Sequence, residues 1–544
     1  MSSVFETHEV TNQPPPLSGY DLFAADAALR EAVEREGAGQ GVAELNELGR
    51  WAGMAEVQEL GRMANESPPV LRSHDRYGNR VDAVRYHPAY HELMALAVGN
   101  GLHAAPWADD RPFAHVLRAA KVIVWYQVDG GHLCPVSMTY SSVPALRHAP
   151  EVAAEWVPRL TSPSYDRSDR PAAEKEGSTC GMAMTEKQGG SDVRANTTVA
   201  EPGGDGYLLT GHKWFCSAPM SDAFLMLANA PGGLSCFLVP RWRPDGTRNP
   251  IRIQRLKDKL GDRSNASSEI ELLETWATPV GDEGRGVRTI IEMVNHTRLD
   301  CILGSTAIMR HGVAQATWHA HHRSAFGRLL DDQPLMANVL ADLAVESEAA
   351  TAAALRLART FDADPTDEHE QLFQRLGTPV LKYWTTKRAP MHAAEALECL
   401  GGVGYVEESD LPRLFRQSPV NGVWEGSGNV ICLDVLRALA RTPEALDAWW
   451  AEIDLAAGAD ARLDDAVGAL RKELGDLADA EPRARRLVEQ MGSVLCGSLL
   501  VRHAPASVAD AYCAGRLSGD NGRAFGTLPP GVDFRALIDR ARPS

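Results

Sequence analysis

Residues 180–282 break the helical rhythm that governs the chain on either side of them. Short alternating runs, Tyr207–Thr210, Ala223–Ala228, Ser235–Pro240 and Glu269–Leu273, are separated by Gly- and Pro-rich turns at Pro202–Gly206 and Pro231–Gly233. That pattern predicts an antiparallel β unit. Upstream, apolar residues recur every three or four positions over Asp21–Glu36, Gly41–Ala64, Arg85–Val98, Phe113–Val128 and Val143–Trp156, with Pro68-Pro69 as a break. Residues 1–20, with Pro14, Pro15 and Pro16, read as an extended arm. Downstream, helical periods return over Val287–His319, Leu335–Thr360, Glu368–Leu400 and Val430–Leu439. A last helical stretch is punctuated by Pro443, Pro482, Pro505 and Pro529-Pro530. The expectation is an α+β chain of four units: 1–179 (arm and helices), 180–285 (β-barrel or sandwich), 286–441 (helical bundle) and 442–544 (additional helices). A β unit set between two helical ones makes a cleft where three units meet, a usual place for a cofactor.

Several chemistries are set aside at once. None of the nine cysteines forms a Cys-x-x-Cys pair, and no metal-ligand spacing emerges from His87, His91, His103 and His115, so no metal is expected. The odd cysteine count and the lack of a signal peptide predict a cytoplasmic protein, and no apolar run is long enough to cross a membrane. A net charge of −17 works against whole-surface attraction to nucleic acid, leaving only a local basic patch for such a role. There is no P-loop, no His-Glu-x-x-His and no Gly-x-Ser-x-Gly. Gly401-Gly402-Val403-Gly404-Tyr405 lacks the third glycine and the preceding strand of a dinucleotide turn; on its own it reads as a helix C-cap.

Three short stretches can carry chemistry. In Val423–Leu433 a lone carboxylate, Glu425, sits between Trp424 and the turn Gly426-Ser427-Gly428-Asn429, which opens a helix. Such a turn offers free N–H groups, and a desolvated carboxylate beside it gains proton affinity, as a general base needs. Alone, the stretch reads equally as a helix start with an acid near its cap. Met184–Val193 places two hydroxyls around a Gly-Gly turn. Lys213–Ser217 sets two aromatics before a hydroxyl, suited to covering a flat ring and meeting its edge. For each of these two, a plain turn and a buried strand are the competing readings.

Together the stretches resemble the acyl-CoA dehydrogenase superfamily. The family's Leu-Thr-Glu-Pro-x-Ala-Gly-Ser-Asp stands here as Met184-Thr185-Glu186-Lys187-Gln188-Gly189-Gly190-Ser191-Asp192. Its Lys-x-Trp-Ile-Thr-Asn stands as Lys213–Ala218, its Gln-x-x-Gly-Gly-x-Gly-Tyr as Glu398–Tyr405, and its Tyr-Glu-Gly-Thr as Trp424–Ser427. Thr185–Thr198, Arg255–Ser268, Glu292–Cys301 and Trp424–Leu436 are similar to its adaptive-response, AidB-like branch, as is the presence of helices beyond Arg441.

The resemblance implies an FAD enzyme of the adaptive response to alkylation damage, with weak acyl-CoA dehydrogenase activity. Glu425 is then the base that removes the α-proton of an acyl-CoA thioester. Thr185 and Ser191, with Met182, Met184 and Gly190, are expected at the flavin end of FAD. Phe215 packs on the ring, Cys216 lies beside it, and Ser217 meets flavin N5. Arg323, Phe326, Gln333, Gly401, Gly402 and Tyr405 hold the pyrophosphate and adenosine, partly across a subunit interface. Val423, Trp424, Gly426, Ser427, Gly428 and Asn429 complete the pocket. The branch also implies a homotetramer and double-stranded DNA bound by the last unit, for which Arg437, Arg441, Arg471, Lys472, Arg483, Arg485 and Arg486 are the cations at hand. Trp424 in place of tyrosine narrows the acyl pocket. A working dehydrogenase for a short or branched thioester with no DNA role, and a non-catalytic flavin scaffold, are the other readings.

Overall fold

The computed structural model describes residues 7–519 and 522–544; the first six residues of the expected arm lie outside them. The N-terminal unit holds helices α1 (Ala27–Arg35), α2 (Val42–Gly53), α3 (Ala55–Glu66), α4 (Pro88–Gly99), α5 (Ala105–Ala108), α6 (Ala114–Tyr126), α7 (Leu133–Leu146) and α8 (Pro150–Leu160). It also holds a hairpin that the helical periodicity concealed, β1 (Val70–His74) with β2 (Arg80–Arg85). Two expected helices are divided. The run Gly41–Ala64 stops at Met54, whose ψ is 136°, because Gly53 touches the backbone of Tyr20 and the chain has to turn away. The run Val143–Trp156 is cut at Ala149, ahead of Pro150 at the first turn of α8. The four histidines serve locally: His87 caps α4, and His91, His103 and His115 bond to Tyr165, Ser162 and Tyr140.

The sheet comprises β3 (Cys180–Ala183), β4 (Val199–Gly203), β5 (Gly206–Ser217), β6 (Ala223–Ala230), β7 (Gly233–Pro240), β8 (Ile251–Leu256) and β9 (Ser267–Pro279). Its order is β3-β6-β4-β5-β9-β7, and β6 also pairs with β7, so the ladder closes on itself. It is mixed rather than purely antiparallel, since β3 and β4 both run parallel to β6. β3 enters from the helical unit instead of from a hairpin, so its direction is set by that crossing. The barrel encloses Phe224, Met226, Phe237 and Ile270, while Leu225, Leu227 and Leu238 face the helices.

In the next unit two long helices, α9 (Gly286–His322) and α11 (Glu368–Cys399), pack against each other, and α10 (Pro334–Arg359) packs on both. Between α9 and α10 a small hairpin, β10 (Ser324–Ala325) and β11 (Arg328–Leu329), turns through Phe326 and Gly327, both at positive φ. Asn12 and Gln13 of the arm bond to Ser324 and Arg323 of this hairpin, and Pro15 accepts from Trp318. Arg118 on α6 makes a buried bidentate pair with Asp300 on α9, both bonds 2.7 Å, joining the first helical unit to the second.

The remaining helices are α12 (Leu411–Gln417), α13 (Gly428–Arg441), α14 (Glu444–Asp454), α15 (Ala461–Leu474), α16 (Ala484–His503), α17 (Ala506–Tyr512) and α18 (Phe534–Ala541). The last five share one core with α10 and α11 through Trp449, Leu487, Val494 and Leu537. Buried charge fastens them: Arg516 pairs with Asp342 and Glu346 on α10, and Arg356 with Glu370 and Glu452. Replacing Arg516 by Met leaves buried Asp342 without an ion pair and Glu346 with Arg388 alone, so it is expected to destabilise the fold by about 3 kcal/mol. A denaturant melt checks this; an unchanged midpoint would show that the clamp contributes nothing.

Candidate functional site

Glu425 stands on a strained elbow. Its own φ is +58°, Gly426 follows at +105°, and α13 begins two residues later. A non-glycine residue at positive φ costs about 1–3 kcal/mol and persists only where its surroundings impose it. Here the imposing groups are two cations. Lys382 Nζ on α11 donates to the carbonyls of Trp424 (2.9 Å) and Gly426 (2.5 Å). Arg298 Nε on α9 donates to the carbonyl between them, that of Glu425 (3.1 Å), and its Nη1 is fixed by Asp434 at 2.8 Å. Three consecutive carbonyls are thus drawn towards the bundle. The amides of Glu425, Gly426 and Ser427 are left without a hydrogen bond among the described residues.

The carboxyl of Glu425 is enclosed, with Oε2 buried and unpartnered. Burial pushes its pKa above the ordinary range, against the pull of Thr297, Lys382 and Arg298. Trp424 is pinned by its indole N–H to Asn421 Oδ1 at 3.0 Å, and Asn421 reaches the buried Tyr126 hydroxyl. Its ring packs on the apolar cluster that contains Met182, Cys134 and Met293, with Met184 also against it. That cluster is the seam between the barrel and the helices.

The barrel brings its own residues to the same seam. Pairing of β5 with β9 slips between Lys213 and Cys216, so Trp214 and Phe215 leave the ladder and project. Phe215 is 49% exposed. Cys216 returns into the barrel core, so of the expected cofactor contacts it can offer only its backbone. Ser217 points to the helix side, where its hydroxyl lies 3.2 Å from that of Ser267. Burial pushes the Cys134 thiol up to about 12, and Lys259, Asp262, Ser217 and Glu425 all act on it, which puts the barrel hydroxyl and the elbow carboxylate around one sulfur. The loop of Thr185, Gly190 and Ser191 is tied down by a pair the sequence reading passed over. Glu186 is fully buried and accepts from Lys213 Nζ at 2.7 Å and from the amides of Thr197 and Thr198. Burial would raise its pKa; Lys213 and these donors hold it at about 2 instead. An acid inside a loop motif and a lysine within an alternating strand were the available signal.

Other expected residues lie elsewhere. α9 and α11 run side by side in the same direction, with Arg298 beside Lys382 at one level and Gly312 against Ala396 at another. From Arg298 to Arg323 the helix climbs about 37 Å at 1.5 Å per residue. Arg323, Phe326 and Gln333, together with the turn Gly401–Tyr405, sit at that far end, and Gln333 braces the hairpin at Ala325. Phe326 and Tyr405 are 98% and 80% exposed. Within one chain these residues do not meet Glu425. A cavity of about 820 Å³ opens behind α11, lined by Lys387, Met391, Arg486 and Phe525, and does not contain Glu425.

Of the basic residues, Arg471 is held by Asp454 and stacks on Trp450, Arg486 pairs with Glu473, Arg483 caps carbonyls of Glu473 and Asp476, and Arg485 bonds to Tyr383. Arg437, Arg441 and Lys472 are exposed, with no ion pair among the described residues.

Known proteins resemble this chain over most of its length. Residues 12–167 match the model of the adaptive response protein AidB N-terminal domain, 181–274 the acyl-CoA dehydrogenase middle domain, and 284–440 the acyl-CoA dehydrogenase C-terminal domain. The AidB protein of Escherichia coli is 46% identical over 512 residues, 94% of each chain. Acyl-CoA dehydrogenase family member 11 of Caenorhabditis elegans is 31% identical over 482 residues, 81% of this chain and 76% of that one. The crystal structure of C. elegans ACDH-11 with C11-CoA superposes with a TM-score of 0.85 at 28% identity, covering 98% and 97% of the two chains.

Replacing Lys382 by Met releases two of the three held carbonyls. The expected cost is about 2 kcal/mol of stability. Lys382 also lowers the Glu425 pKa, so without it the carboxyl ionises at higher pH and any rate that needs the carboxylate rises later on the pH axis. A pH–rate profile that does not move would show that Lys382 does not act on this group.

Proposed function

The chain belongs to the AidB branch of the acyl-CoA dehydrogenase family, and on that footing we propose that it is an FAD-dependent oxidoreductase acting on the acyl chain of a coenzyme A thioester. The observation that carries the reading is the elbow: an enclosed carboxyl with one unpartnered oxygen beside three free amides, at a seam to which the barrel brings the Ser217 hydroxyl. These residues suit a flat cofactor between barrel and helices. Phe215 can cover a ring, Ser217 can meet its edge, and the α13 N-terminus can receive polar oxygens. FAD, when bound, supplies the acceptor for the hydride that leaves the β-carbon.

The protein's own part is the other half of the step. The α C–H bond breaks, and its proton passes to Glu425 Oε2. The electron pair moves towards the thioester carbonyl, whose oxygen takes up negative charge. The free N–H of Glu425 itself can donate to that oxygen, so one residue both removes the proton and stabilises the charge it creates. Trp424, held by Asn421, sets one wall of the acyl site. C. elegans ACDH-11 was crystallised with C11-CoA; a fatty acyl-CoA is the substrate class proposed here. Glu425→Gln is expected to keep bound flavin and to lose about 10²–10⁴-fold in acyl-CoA-dependent flavin reduction. Unchanged turnover would exclude Glu425 as the base.

We propose further that the site is completed by a second copy of the chain. The end that carries Arg323, Gln333 and Gly401–Tyr405 is then the adenosine side of a neighbour's cofactor, in a homotetramer. The finer reading of the branch, duplex DNA in a damage response, rests on the cations left free by the intrachain pairs. With both Arg437 and Arg441 changed to Glu, the dependence of log K on log salt for a DNA duplex should flatten by about two units, roughly one per lost phosphate contact. Equal binding and equal slope in the two proteins would remove these residues from any DNA role.

A further inference from the structure

Behind Ser217 the barrel holds an ordered line of donors. Ser217 on β5 and Ser267 on β9 are directly opposite in the ladder, and their hydroxyls are 3.2 Å apart. Lys259, in the turn between β8 and β9, places Nζ 3.3 Å from the Ser267 hydroxyl. An ammonium has three protons and no acceptor, so Lys259 is the donor in that bond. Donation into the Ser267 oxygen polarises its own proton, which then favours the lone pairs of Ser217. Ser217 is left as the outer member of the line, with its proton turned away from the strand towards the seam, where the Cys134 sulfur lies against it and Glu425 acts on that same sulfur.

The lysine's charge is poorly answered nearby. Asp262, three residues on and 4% exposed, has both carboxyl oxygens buried and unpartnered and makes no ion pair with Lys259. Burial pushes Asp262 up to about 7, Lys259 and Arg413 pulling down and Asp129 pushing up. Asp129 is itself engaged by His132, Asn65 and Ser264. A cation in a low-dielectric setting, two hydrogen bonds from Ser217, exerts its field on whatever that hydroxyl touches.

We infer that Lys259 is a positioning residue: through Ser267 it turns the Ser217 proton outward and adds positive potential at the edge of the bound flavin, favouring the reduced, more negative form. The inference rests on the FAD reading above. Its test is the midpoint potential of the purified holoprotein by spectroelectrochemical titration. Lys259→Met is expected to retain FAD and to lower the reduced-to-oxidised ratio at fixed potential about tenfold, which for a two-electron couple is about 30 mV. Lys259→Arg, which keeps a donor and a charge, should restore most of it. Ser267→Ala, which breaks the line and leaves the lysine, should move the ratio the same way by about threefold, and stands in if the first variant does not fold. A flavin-bound variant of either kind with the wild-type potential overturns the inference and leaves the cofactor reading intact. Wild-type protein that carries no flavin overturns both.

Discussion

Two cations on two helices hold three successive carbonyls, and the shape of the site follows from that grip. Lys382 and Arg298 bind the backbone of residues 424–426 and not their side chains. They therefore fix where the N–H groups point as well as where Glu425 stands. Without such a hold, a glutamate at φ +58° would relax to an ordinary turn. The same two residues also act on the carboxyl. Burial disfavours its charged form, and the nearby cations limit how far that goes. Geometry and acidity are thus set by one arrangement.

The barrel contributes a different kind of precision. A slip in the β5–β9 ladder puts Phe215 outside while Cys216 and Lys213 stay in. The Glu186–Lys213 pair, both members fully buried, locks the Thr185–Ser191 loop to that same strand. Phe215 is thus placed by a departure from regular pairing, Ser217 by the register that resumes after it, and the loop by a buried ion pair.

The order of helical, β and helical units, and the four long downstream helices, could be read from periodicity, because apolar spacing and turn residues there agree with the tertiary outcome. The interruption at Met54 could not, since its cause is a distant backbone touching Gly53. Nor could the parallel entry of β3, which depends on where the preceding helices leave the chain. At the site, the motif around Glu425 was visible, yet Lys382 and Arg298 were not. They lie 43 and 127 positions upstream and act on carbonyls, which carry no sequence mark. The split of the expected cofactor residues between two ends of one helix was hidden for a simpler reason: spacing along a chain says nothing of distance until the helix is known to be straight.

The side-by-side run of α9 and α11 has a cost for how such a chain can vary. α9 and α11 keep a constant offset of 84 positions, 298 with 382 and 312 with 396. One residue added inside either helix would rotate everything beyond it by about 100° and advance it 1.5 Å. A lengthening upstream of Arg298 or Lys382 would turn one hand of the grip away from the other. Change in length is therefore better tolerated in the connection 360–367, where α10 has ended and α11 has not begun, while the interior keeps count.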